Sequence, residues 1–101
     1  MSTEVSVRDN PDQSRLEAVL EDGRVAGYAH YRAGQPAYEF DHTVVGDEHE
    51  GQGIGTALAE GVVAHAREKG LQVLPTCSFL RAHLARHPET HDVLAEGVEL
   101  G

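Results

Sequence analysis

Glu50-Gly51-Gln52-Gly53-Ile54-Gly55-Thr56 decides how the rest of the chain is read. It separates an extended segment ending near Val45 from a helical pattern that runs to about Lys69. Glycines at three alternate positions let the backbone turn sharply, take positive φ and approach a ligand with no side chain in the way. The helix that follows turns its unpaired N–H groups and the positive end of its dipole back on this loop. Such a loop binds anions, and a pyrophosphate is the expected guest. Two other nucleotide loops are excluded. No Gly-Lys-Ser/Thr follows, as a Walker loop needs, and glycines at 51, 53 and 55 do not space as Gly-x-Gly-x-x-Gly.

Upstream of the loop the period is two. Val5 and Val7 alternate with polar neighbours as a first strand, broken by Asn10-Pro11-Asp12. Leu16, Ala18 and Leu20 mark a second strand, and Glu21-Asp22-Gly23-Arg24 a hairpin turn. Val25 to Arg32 returns as a third strand. After a turn over Ala33-Gly34-Gln35-Pro36, Ala37 to Val45 reads as a fourth, with Tyr38, Phe40, His42 and Val44 on one face. Downstream the period becomes helical: Ile54, Leu58, Val62 and Ala66 recur every four residues until Gly70 stops the helix. Leu71 to Leu74 is an apolar run suited to a buried, central strand. Pro75-Thr76-Cys77-Ser78 leaves it. Phe79, Leu80 and Leu84 mark a second helix, halted at His87-Pro88, and Val93 and Leu94 dock a last segment. Short turns make the first strands antiparallel, and the helix before the last strand is long enough for a right-handed parallel crossover. The fold class is therefore α+β, a mixed sheet of antiparallel N-terminal strands followed by β-α-β-α.

Composition agrees with one domain over 1–101. The chain has 101 residues, 40% apolar and 25% charged, enough for one core. No apolar run has membrane-spanning length, and the polar N-terminus does not read as a signal peptide. The lone Cys77 fits a reducing cytoplasm rather than a disulfide framework. A net charge of −9 argues against nucleic-acid partners and requires that any anionic ligand be held by local N–H donors. The sequence is compatible with a monomer.

The order of elements and the loop resemble the GNAT superfamily of N-acetyltransferases, whose signature falls here on Glu50, Gly53 and Gly55. Asp41-His42-Thr43, Pro75-Thr76-Cys77 and His87-Pro88 resemble its minimal single-domain members of the YjdJ type over nearly the whole chain. The resemblance implies acetyl-CoA as co-substrate, lying between the fourth and fifth strands. It implies cofactor contacts from Thr43, Val44 and Val45, from Glu50, Gly51, Gln52, Gly53, Ile54, Gly55 and Thr56, and from Ser78. Glu50 departs from the usual Gln or Arg of the signature. A carboxylate inside the loop would repel phosphate, so it is expected to point to solvent.

Cys77 is the suspected catalytic residue of that subfamily. Free cysteines are also common as small buried hydrophobes. A chemical role has two forms. The thiol accepts the acetyl group and passes it to an amine, or the amine attacks directly and the thiol protonates the leaving CoA. Many larger relatives use a tyrosine for the second task, and no tyrosine follows Tyr38 here. His42 is a candidate base for the amine or, equally, a satisfied core histidine. His83 and His87 stand four apart, but no paired metal motif is present and Pro88 follows, so no metal is expected there. Two function classes result: acetyl transfer to a primary amine (a small amine or a protein lysine), or a non-catalytic acyl-CoA-binding or regulatory module.

Overall fold

The structure is a computed structural model that describes residues 5–35 and 37–100. Its elements are β1 (Val5–Asn10), β2 (Arg15–Leu20), β3 (Val25–Arg32), β4 (Ala37–Val45), α1 (Ile54–Lys69), β5 (Gln72–Pro75) and α2 (Ser78–Ala85), with 3-10 turns at Pro11–Gln13, Asp47–His49 and Pro88–Val93. The five strands lie in sequence order, β1 to β4 antiparallel and β5 parallel to β4. The antiparallel meander and the helical crossover are as the sequence implies. Pro36, part of the expected turn before β4, lies outside the described residues.

Alternation places Leu16 and Ala18 of β2, Ala29 and Tyr31 of β3 and Phe40 of β4 on one face of the sheet. Against them lies the apolar stripe of α1: Ile54, Leu58, Val62 and Ala66. Leu80 and Leu84 of α2 complete the same core. Gly70 ends α1 at φ +67°, its N–H bonded to the Ala66 carbonyl. The opposite face carries polar side chains. There Arg15 of β2 stacks over Tyr28, 4.3 Å from the ring centroid, and Glu17 is ringed by Arg8, Asn10 and Arg15.

Two details differ from the sequence reading. β5 is an edge strand, not a central one, because among the described residues no strand pairs beyond it. Its burial alternates: Val73 and Pro75 face the core while Gln72 and Leu74 are exposed. Among the described residues a single bridge from Leu94 to Val73 flanks its outer side. The second difference is a β-bulge. His30 pairs with His42, but Tyr31 pairs with Phe40, leaving Asp41 as an extra residue in β4. The extra residue inverts the alternation, so His42 and Val44 do not share a face with Phe40. His42 is half-exposed beside His30, while Phe40 is buried in the core.

Candidate active site

Two of the three loop glycines between β4 and α1 take the positive φ that the sequence implies, while Gly55 lies inside α1 in helical conformation. Gly51 and Gly53 hold φ of +81° and +79°, a region that a side-chain-bearing residue seldom enters. Gly53 caps α1 with no side-chain hydrogen bond to the helix. The backbone bond from Ala57 N–H to the Gly53 carbonyl opens the helical ladder. The N–H groups of Ile54, Gly55 and Thr56 therefore point out of the first turn with no intrahelical partner. Val45, His49, Glu50, Gly51, Gly53, Ile54, Gly55, Thr56 and Phe79 enclose a cleft of about 320 Å³ at this end of the helix. Gln52 does not line the cleft; its side-chain oxygen meets Nδ1 of the lining His49 at 3.3 Å. Glu50 is exposed and also lines the cleft, so its carboxylate stands at the mouth of the loop rather than wholly away from it.

Phe79 was not legible as a site residue. In the sequence it marks only a helix, yet it is 41% exposed and its ring lies over Gly55. A Cβ on Gly55 would come within 2.9 Å of the Phe79 ring, so this glycine is what allows the aromatic to close over the loop. Only a contact between two helices distant in sequence reveals that.

The second part of the site is a gap in the sheet. β4 and β5 pair from Ala37–Gln72 to Phe40–Pro75 and no further. The N–H groups of Thr76 and Cys77 both turn to the Phe40 carbonyl, which ends the ladder, and the chain departs into α2. Asp41 to Val45 of β4 thus run on without β5 beside them. Their backbone groups on that side face the gap, and Ser78 opens α2 at its border. Cys77 is buried at 7% exposure, and its thiol donates to the Thr43 hydroxyl across the gap at 3.5 Å. The bulge brings about that meeting. It turns Thr43 toward Cys77 and His42 toward the helix-free face.

On that face His30 and His42 stack in parallel, centroids 4.8 Å apart. His30 Nδ1 lies 2.7 Å from Asp41 Oδ1, and His42 Nδ1 lies 3.4 Å from the same oxygen. Partial burial opposes ionisation of Asp41, but the His30 hydrogen bond and the charges of both histidines outweigh it, drawing the carboxyl below its ordinary value of 3.8.

A larger cavity, about 410 Å³, opens between α1 and α2 around Glu60, Arg67, His83 and His87 and touches the loop only through Thr56. His83 is buried there, which disfavours its charged form, and the neighbouring His87 and Arg86 add to that effect. This cavity shares only Thr56 with the helix start, and Cys77 does not line it.

The sequence model of the family described as GCN5-related N-acetyl-transferase matches residues 15–93. Among solved structures, the NMR solution structure of a GCN5-like putative N-acetyltransferase from Staphylococcus aureus is similar. It shares 29% identity with a TM-score of 0.68, and the alignment covers 93% of this chain and 90% of that one. No curated protein matches the chain.

Proposed function

Since the chain belongs to the GCN5-related N-acetyltransferase family, we propose that it transfers an acetyl group from acetyl-CoA to a primary amine, with Cys77 as the catalytic residue. Acetyl transfer is the family's activity. The observation that carries it is the end of β4–β5 pairing at Phe40–Pro75, which leaves a slot bordered by the glycine loop and by Cys77.

In this reading the pyrophosphate of CoA sits on the N–H groups of residues 51–56, outside the start of α1. The pantetheine arm lies in the slot and bonds the free backbone of Thr43, Val44 and Val45 as a missing strand would. Ser78 borders the same arm. The thioester then lies beside Cys77. The amine nitrogen attacks the thioester carbonyl from the helix-free side, and His42 takes the proton that the nitrogen sheds. As the C–S bond breaks, the Cys77 S–H protonates the departing CoA sulfur, and the Cys77 thiolate recovers its proton from solvent through the Thr43 hydroxyl. Direct attack is favoured over an acetyl-cysteine because the described partner of Cys77 is a hydroxyl, not the imidazole or carboxylate that activates a nucleophilic thiol. The residues at Asp41-His42-Thr43 and Pro75-Thr76-Cys77 support membership of the minimal YjdJ-type members.

The test is CoA release, followed with a thiol-reactive reporter that is blind to the buried protein thiol, over a panel of primary amines. Cys77→Ala is expected to keep CoA affinity and to lose on the order of 10²-fold or more in turnover, the usual cost of a general acid. Full turnover by Cys77→Ala would remove the thiol from the mechanism. Tight CoA binding without turnover on any amine would favour an acyl-CoA-binding module instead. A mass increase of one acetyl group on Cys77 after brief incubation would replace direct attack with the covalent route.

A further inference from the structure

The helix-free face of the sheet carries a second cluster that the acetyl-transfer reading does not explain in full. We propose that His30, Asp41 and His42 form a binding site for a divalent transition metal of the zinc class.

Three observations carry this. The first is placement. Asp41 and His42 are consecutive, and in an unbroken strand they would project to opposite faces. The bulge at Asp41 lets both reach His30, which stands opposite His42 on β3. The second is convergence. One donor atom from each of the three residues lies within 4.8 Å of the others, and both imidazole Nδ1 atoms face a single oxygen, Asp41 Oδ1, at 2.7 and 3.4 Å. Neighbouring donors around a tetrahedral zinc stand about 3.3 Å apart, given bonds of about 2.0 Å. Of the three separations, the one between His42 and Asp41 already matches, the one between His30 and Asp41 widens once a metal replaces the proton held between them, and the one between the two imidazoles adjusts as the His42 ring tilts. The third is freedom to adjust. The His42 side chain is 55% exposed, so its ring can tilt out of the stack to aim its lone pair. Arg32 approaches only the other carboxylate oxygen, Oδ2, at 3.6 Å, leaving Oδ1 to the metal.

Two imidazoles and one carboxylate suit Zn²⁺, Co²⁺ or Ni²⁺ rather than Mg²⁺ or Ca²⁺, which take oxygen ligands. Solvent completes the shell, since the face has no covering helix. The chain's charge of −9 favours a cation. A His42 that ligates a metal is not free to serve an amine, so the metal-bound and working forms are alternative states of one ring.

Chelator-treated full-length protein is titrated with Zn²⁺ by calorimetry and with Co²⁺ by visible absorption. The expected result is one metal per chain, a cobalt d–d band of low-symmetry coordination, and no competition from Mg²⁺. His30→Ala, Asp41→Asn and His42→Ala are each expected to weaken binding about tenfold or more. Amide spectra check that each variant is folded, and the half-exposed His42 supplies the variant least able to disturb the sheet. Cys77→Ser and His83→Ala are expected to bind as the parent does. No saturable binding would overturn the proposal. So would unchanged affinity in folded His42→Ala, or loss of binding on replacing Cys77 or His83.

Discussion

Gly53 concentrates the ligand argument in one residue. It holds φ +79° at the cap of α1, and a Cβ there would meet nothing of the protein within 4 Å. A side chain at this position therefore harms through backbone strain, about 1–2 kcal/mol, and by standing where the proposed pyrophosphate comes close. Gly53→Val is expected to weaken CoA binding at least about tenfold by calorimetry. Gly70 is the control. It has φ +67° and equal open space at the far end of the same helix, so Gly70→Ala imposes similar strain with no ligand nearby. That variant is expected to lose stability and keep CoA affinity. Equal affinity in Gly53→Val and the parent would take the phosphate away from the loop. Cys77 and Thr43 belong to the same scale: a 3.5 Å contact between side chains 34 positions apart that no local spacing announces.

At the scale of the element, β2 shows how the polar face is held. Glu17 is 2% exposed, a burial that a lone carboxylate would not tolerate. Its oxygens accept from Asn10 at 3.0 Å, Arg15 at 2.9 Å and Arg8 at 3.4 Å, which ties β1 to β2. The Asn10 hydrogen bond lowers the carboxyl pKa most, burial opposes it, and Arg15 and Arg8 lower it further. With the folded value below the unfolded 4.5, the group stabilises fully above that pH. The unfolded chain takes up the proton first, so this stability is lost as pH falls through the folded value. Glu17→Gln is expected to cost about 1–3 kcal/mol at neutral pH and to flatten the acid limb of urea midpoints against pH. An unchanged acid limb would show that Glu17 does not carry this linkage. α1 works differently. Its face toward the sheet is plain packing, while its first turn is left without a side-chain cap for a guest to complete.

The whole molecule is a meander closed by one crossover, and the candidate site lies where the two join. The cleft takes residues from the end of β4, the loop, α1 and α2. A ligand seated there binds only the folded chain, so its binding free energy adds to global stability. At CoA one hundred times above its dissociation constant the gain is about 2.7 kcal/mol. For a domain of this size that is a rise in Tm of roughly 10–20 °C. The same rise is expected in Cys77→Ala and a much smaller one in Gly53→Val, measured by thermal scanning at fixed CoA. A Cys77→Ala protein that no longer responds to CoA would mean that the thiol holds the ligand rather than acting on it. Among the described residues no helix is long and apolar enough to cross a membrane.

What the sequence determined by itself was local. The bounds of β3, β4 and α1 agree with their periods, because alternation, four-residue recurrence and the Gly70 stop act over a few neighbouring residues. The glycine loop was legible for the same reason: positive φ is a property of single positions. The family followed from the order of these pieces, and the match over residues 15–93 bears it out. The tertiary structure decided which way the pieces face. A bulge exists only between two paired strands, so the extra residue at Asp41 left no mark in β4's own pattern. It sends His42 to join His30 and brings Thr43 to Cys77, against the simple alternation. The apolar run at Leu71–Leu74 likewise could not show that β5 would lie at an edge, nor that its pairing would stop at Pro75. Pairing across a sheet is a relation between segments distant in the chain, and neither segment alone encodes where that relation ends.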